Sequence, residues 1–340
     1  MIINSYIITY LVCLAMSFCI GLVAGLNGFS IWKNWDIKSD AEDQYRLEKK
    51  VYLIITVLFL GFSLRLFMFP LWFFILHTMI PSVPGAMCLV GIHNINSPVS
   101  YVASGFKLVM PVFYVYWLIL NLLDRRIETQ PFMKHKLWLL TPLGTLIIIE
   151  TIIDAWFLFS VPPRQVSCCT SLFDVPRNDL LQIVSESSWL WVVVFYTLAL
   201  ILLGEMAYFF RAQTKSMHTG NGWWFGKKIF MLMETVFIIL IFITFIFSLH
   251  TKISPLFLGL PFHHCIFCLC QQVWDTLCFF FMIFAGLSFF LVYFWIVSSV
   301  DYMPLNQRCG VFMKKLLQWA GGLFLSGFII LTLHLFLVLF

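Results

Sequence analysis

Charge is what this sequence lacks. Of 340 residues only 11% are charged and 61% are hydrophobic, whereas a soluble domain carries roughly 25% charged residues. That is too little polar surface to wrap a water-soluble globule, so a soluble enzyme or soluble binding domain is excluded. Short motifs of common chemistries are missing too: there is no Walker phosphate loop, no H-E-x-x-H pair and no Ser-His-Asp order. The one glycine-rich stretch, Gly220-Asn221-Gly222, lacks the spacing of a phosphate cradle and reads as a connector. The first apolar segment has no basic leader, is long, and is not followed by a small-residue cleavage site. It therefore reads as a first span rather than a cleaved signal. Low-complexity tracts and convincing internal repeats are also absent.

What is present is a series of long apolar runs separated by short charged patches, the hydropathy pattern of membrane helices. The expected fold class is all-α: a polytopic integral membrane helical bundle, forming one membrane domain over 1–340. About eight transmembrane helices are read at 5–27, 51–79, 107–123, 137–161, 187–210, 229–249, 271–298 and 318–340. Backbone groups in lipid must satisfy one another, which favours helices over open strands.

The net charge of +5 does not mark a nucleic-acid surface, because of where the charges fall. Sixteen basic residues follow odd-numbered spans and four (Lys107, Arg164, Arg177, Lys252) lie in the other loops. By the positive-inside rule both termini face outward, on the non-cytoplasmic side. The expected partner is the lipid bilayer and no nucleic acid; the expected location is a bacterial cytoplasmic (inner) membrane.

Topology sorts the ten cysteines. Cys13, Cys19 and Cys278 fall inside spans and Cys309 on the cytoplasmic side, where buried thiols act as small hydrophobes. Cys88, Cys168, Cys169, Cys265, Cys268 and Cys270 face outward, towards the periplasm or exterior, where disulfides persist. Three structural bridges tying the outer loops together are one reading of this even count. The stretch His263-His264-Cys265-Ile266-Phe267-Cys268-Leu269-Cys270 suggests more. Cys265 and Cys268 form C-x-x-C where span 7 is expected to begin, and a helix N-terminus stabilises a thiolate. A helix beginning early would align His264, Cys268, Gln271, Gln272 and Asp275 as one polar stripe. Cys88, His93, His263, His264, Cys265 and Cys268 are equally a ligand set for copper or zinc.

The C-x-x-C at Cys265-Ile266-Phe267-Cys268, taken with Cys88 and Cys168-Cys169, resembles membrane thiol oxidoreductases of the vitamin K epoxide reductase and DsbB type. Those place such a motif at an outer helix end and pair it with loop cysteines. The resemblance covers these residues alone; eight spans and the His263-His264 pair lie outside that pattern. It implies thiol–disulfide redox or electron transfer, with Cys265 and Cys268 reactive and Cys88, Cys168 or Cys169 exchanging with them. Electrons would pass to a quinone or to an extracytoplasmic thioredoxin-like protein. The alternatives are a copper- or zinc-binding protein or transporter, and a non-catalytic membrane-complex subunit or transporter with structural disulfides.

Ionisable residues inside the spans are costly and mark an interior. Arg65 lies near the middle of span 2, and Glu150 and Asp154 are one turn apart in span 4, so Arg65–Glu150 is the natural pair. Ordered by depth, Asp275, Asp154, Glu150, Arg65, Glu234 and Glu205 form a ladder that could carry protons or cations, or serve a quinone. The same residues could also pair with one another and set helix register. His334 in span 8 reads as a locally hydrogen-bonded histidine.

Overall fold

A computed structural model describes residues 5–35, 42–127, 130–160, 188–219, 227–261, 263–299 and 307–339. Among the described residues all regular structure is helical, and eight helices are long and apolar enough to cross a membrane. The chain is an integral membrane protein by that measure, and it divides into two compact units, Met1–Cys168 and Cys169–Phe340.

The first unit holds α1 (Ser5–Asn34), α2 (Glu42–Met79), the short α3 (Leu89–His93), α4 (Ser97–Asp124) and α5 (Met133–Phe159). The four long helices close into a ring in which α1 packs on α2 and α5, and α4 packs on α2 and α5. The α1–α5 approach is the closest because glycines remove the side chains between them. A Cβ on Gly144 would stand 2.4 Å from the nitrogen of Gly25 and 2.7 Å from the carbonyl oxygen of Gly21. Lipid supplies no hydrophobic drive between helices, so close backbone approach and its dispersion energy do that work. Pro70, Pro111 and Pro142 lie inside α2, α4 and α5, each removing one N–H from its helix ladder.

The second unit holds α6 (Ser188–Thr219), α7 (Lys227–Ser248), a π-turn at Leu249–Ile253, α8 (Ser254–Leu258), α9 (Ile266–Gln272), α10 (Trp274–Ser299) and α11 (Gln307–Leu339). Its four long helices make a similar ring, α6 on α7 and α11, and α10 on α7 and α11. Gly286 lets α10 meet the backbone of α11, where a Cβ would be 2.6 Å from the Phe324 nitrogen. Phenylalanines fill the interior, as where Phe294 meets Phe209, Phe230 and Phe290 with centroids 4.8–5.6 Å apart.

Each unit carries a structured linker between its second and third long helices. In the first, a 3-10 turn at Ile80–Ser82 and Gly85 at φ 84° lead into α3, whose N-cap is Cys88. In the second, α8 ends on Gly259 in the left-handed conformation (φ 65°), which glycine adopts without strain, and α9 follows with Cys265 as its N-cap. A cysteine thus begins the short helix of both linkers.

Several helices run past the expected spans, and the difference at α4 bears on the charged interior. Span 3 was expected to open at Lys107, counted with the loop residues at its edge, but α4 begins ten residues earlier at Ser97, with Pro98 in its first turn. Ser97, Ser100, Ser104 and Lys107 lower the local hydropathy, yet Ser100 and Lys107 are buried inside the unit rather than exposed to lipid.

Candidate functional site

The thiol pair is built by α9. Cys265 has extended backbone (φ −81°, ψ 108°), and its Sγ accepts the backbone N–H of Cys268 at 3.4 Å. The two sulfurs lie within 4.8 Å of one another. Cys265 is buried and Cys268 half-buried, an asymmetry between the two sulfurs of the pair. The carbonyl of Cys265 accepts from the Ser254 hydroxyl at 3.1 Å, tying the start of α9 to α8. Cys270, on the same short helix, is chemically different: burial pushes its thiol up to about 12, so it stays protonated near neutrality.

The polar stripe expected beneath this pair is broken. Val273 is extended (φ −116°, ψ 97°), so α9 stops at Gln272 and the long helix α10 starts afresh at Trp274. Asp275 falls in the first turn of α10, a favourable place for an acid, and pairs with the Nδ1 of His334 from α11. His334 also stacks on Phe257 at 4.0 Å between centroids. His264 donates from Nδ1 to the carbonyl of His250 at 3.0 Å, and within the second unit neither His263 nor His264 joins the two sulfurs in a compact ligand set.

In the first unit Cys88 is buried at the start of α3. His93, at the end of that helix, donates from Nδ1 to the Leu89 carbonyl and meets the Ser104 hydroxyl through Nε2, both at 2.8 Å. Either bond would have to open for His93 to ligate a metal. Cys168 and Cys169 lie outside the described residues.

The intramembrane residues separate between the units. Arg65, Glu150 and Asp154 meet in the first. Arg65 Nη2 lies 3.1 Å from Glu150 Oε2 and also donates to Thr151 Oγ1 (3.0 Å) and the Ile147 carbonyl (3.2 Å). Lys107 bridges Glu150 Oε1 and Asp154 Oδ2. Tyr10 donates to Asp154 Oδ2 at 2.9 Å and Tyr114 to Glu150 Oε2 at 2.8 Å. All four charged side chains are at most 3% exposed. Each ion taken out of water costs several kcal/mol, so the quartet is tolerable because two cations meet two carboxylates. The Arg65–Glu150 pair matches the sequence reading. Lys107 does not, having been placed in a loop. The signal for it was spacing: Ser100, Ala103, Lys107, Met110, Tyr114, Trp117, Asn121 and Asp124 recur at three- and four-residue steps on the buried face of α4.

A second pair lies further along that face. Lys136 Nζ is 2.6 Å from Asp124 Oδ2 and 3.2 Å from Asn121 Oδ1, while Asp124 Oδ1 accepts the N–H of Phe132 at 2.8 Å. In the second unit Glu205 lies on α6 and Glu234 on α7, two helices that pack together. Glu234 is buried and Glu205 half-buried, and the Oε2 of each makes no hydrogen bond among the described residues.

Comparison with protein-family models, curated proteins and solved structures finds no match to this chain.

Proposed function

We propose that the protein performs thiol–disulfide exchange at the outer face of a bacterial cytoplasmic membrane, with Cys265 and Cys268 as the reactive pair. The observation that carries this is the closeness of the two sulfurs at the start of α9, where the Cys268 N–H is given to the Cys265 sulfur. A sulfur that accepts a hydrogen bond is better stabilised as thiolate, the form that attacks a disulfide. The outward orientation, with both termini on the same side, draws on the excess of basic residues after odd-numbered spans.

The exchange balances as follows. The thiolate of one cysteine attacks a disulfide of the partner, forming a mixed disulfide and releasing one partner thiolate. The second cysteine then attacks the mixed bond, closing Cys265–Cys268 and releasing the other. Two electrons pass to the partner, and two protons leave the pair. A thioredoxin-like protein disulfide is the acceptor these steps fit; a quinone would instead take the two electrons and two protons together and leave as the quinol.

Differential alkylation read by mass spectrometry tests this. The full-length protein is equilibrated with reduced or oxidised glutathione, quenched and alkylated. Cys265 and Cys268 should switch together between two alkylated thiols and one disulfide, and mapping of Cys88, Cys168 and Cys169 identifies any exchange partner. If both cysteines alkylate fully under every condition, or stay oxidised through reduction, the reading fails.

A second reading draws on the same two sulfurs, which would supply two of the four ligands of a tetrahedral zinc or soft ligands to copper(I). Stoichiometric metal in the reduced protein, lost in Cys265→Ser, would favour it over exchange.

A further inference from the structure

We propose that the first unit contains a membrane-embedded proton-exchange site in which Lys107 passes a proton between Asp154 and Glu150. This site is separate from the thiol pair, so either can fail without the other.

Continuity is the first argument. Tyr10 of α1, Asp154 and Glu150 of α5, and Lys107 and Tyr114 of α4 form one unbroken hydrogen-bonded chain, with the Lys107 ammonium at its centre touching both carboxylates. Among the described residues of this unit Arg65 of α2 is the further charged group at the chain, and it holds Glu150. The Tyr10 and Tyr114 hydroxyls and the Lys107 ammonium each donate to a carboxylate oxygen of the chain.

Charge supplies the second argument. Two cations and two carboxylates sum to zero. Transfer from the Lys107 ammonium to Glu150 turns one ion pair into a neutral amine and a neutral acid, and the sum stays zero. Arg65 cannot release a proton under ordinary conditions, so it remains a fixed positive charge throughout. A full passage starts with an external proton protonating Asp154. Lys107 gives its proton to Glu150, the resulting amine takes the proton from Asp154, and Glu150 finally releases its proton to water by way of the Tyr114 hydroxyl bonded to its Oε2. Lys107 ends as it began, and one proton has moved from the Asp154 side to the Glu150 side.

Asp154 Oδ1, Arg65 Nε and Arg65 Nη1 are fully buried and make no hydrogen bond among the described residues. Buried polar groups in this state are the usual hosts of internal water. Asp154 Oδ1 is the carboxylate oxygen that neither Lys107 nor Tyr10 uses, which leaves it open for water to deliver a proton. Beyond Tyr114 the polar face of α4 is interrupted by aromatic rings: Phe62 stacks on Tyr114 at 5.4 Å and meets Trp117 edge-on at 4.9 Å. Asn121, Asp124 and Lys136 resume it on the far side. An aromatic layer therefore stands between the site and the Asp124–Lys136 pair, and crossing it limits the rate of passage.

The cluster could instead serve only to hold helices together, and a charge-balanced substitution separates the two roles. Lys107→Gln with Asp154→Asn removes one charge of each sign, so no ion is stranded. The full-length protein is placed in lipid vesicles with an entrapped pH dye, and a valinomycin potassium potential drives proton entry. Wild type should acidify the lumen faster than protein-free vesicles, and the double variant should lose at least about tenfold of that rate, a modest effect for a positioned acid–base group. Phe62→Ala, which thins the aromatic layer, should raise the rate above wild type. Should the double variant fail to fold, Tyr114→Phe, which deletes one hydroxyl and no charge, must slow the flux instead. Wild-type vesicles no faster than empty ones, or a folded double variant as fast as wild type, would overturn the proposal.

Discussion

Replacing Gly144 by alanine puts the α1–α5 contact to a quantitative test. The added methyl would meet the Gly25 nitrogen at 2.4 Å, the Gly21 oxygen at 2.7 Å and the Gly25 Cα at 2.9 Å. All three are backbone atoms, so no side chain can swing away and the helices must part by about 1 Å to reach ordinary contact. A gap of that size forfeits a quarter to a half of each dispersion well along the seam, and overpacking of this kind costs about 1–3 kcal/mol. Alanine recovers about 1 kcal/mol of helix propensity. Taking the upper end of the cost, because the obstruction is backbone, Gly144→Ala should lose about 2 kcal/mol net. Gly105 in α4 is the control: a Cβ there meets nothing within 4 Å, so Gly105→Ala should gain up to about 1 kcal/mol. Equilibrium unfolding in mixed micelles, followed by circular dichroism, should therefore separate the two variants by about 3 kcal/mol. Equal stability would refute the reasoning. The displacement also reaches the charged cluster, since α5 carries Glu150 and Asp154 while α1 carries Tyr10, whose 2.9 Å bond to Asp154 crosses this seam.

Two other expectations concern single groups. Lys136→Met strands the buried Asp124 carboxylate and should cost about 3–5 kcal/mol, whereas adding Asp124→Asn should restore most of it, because the amide oxygen still accepts the Phe132 N–H; equal losses in the two proteins, read by the same unfolding assay, would contradict this. For Cys270, whose thiol burial pushes up to about 12, the thiolate fraction and hence the alkylation rate in the folded protein should climb about tenfold per pH unit through about pH 10. A plateau below that pH, measured by mass spectrometry of the modified peptide, would show a thiol more acidic than its surroundings imply.

Hydropathy reads the eight long helices because membrane spans are the strongest signal a sequence carries. One-turn spacing reads the shared face of Glu150 and Asp154, and depth matching reads Arg65 against Glu150. Lys107 escapes for a physical reason. Averaged hydropathy treats a lysine as the edge of a span, whereas its ammonium is neutralised by two carboxylates on another helix, information that no local window contains. The break at Val273 is equally silent in sequence: Val273 is apolar and flanked by residues that continue a helical pattern, and only the extended backbone there separates the thiol helix from Asp275. The same holds for Cys88 and Cys265, whose shared N-cap position comes from the fold of each linker rather than from any sequence likeness around them.

The prolines of the first unit acquire a mechanical meaning beside the charges. Pro70 follows Arg65 by five residues, Pro111 follows Lys107 by four, and Pro142 precedes Glu150 by eight. Pro111 leaves the carbonyl of Lys107 itself without its helical donor. Three of the four long helices are thus weakest against bending within about two turns of the point at which ionic bonds clamp them. The ion pairs therefore cross-brace the unit near the places where its helices lack backbone hydrogen bonds.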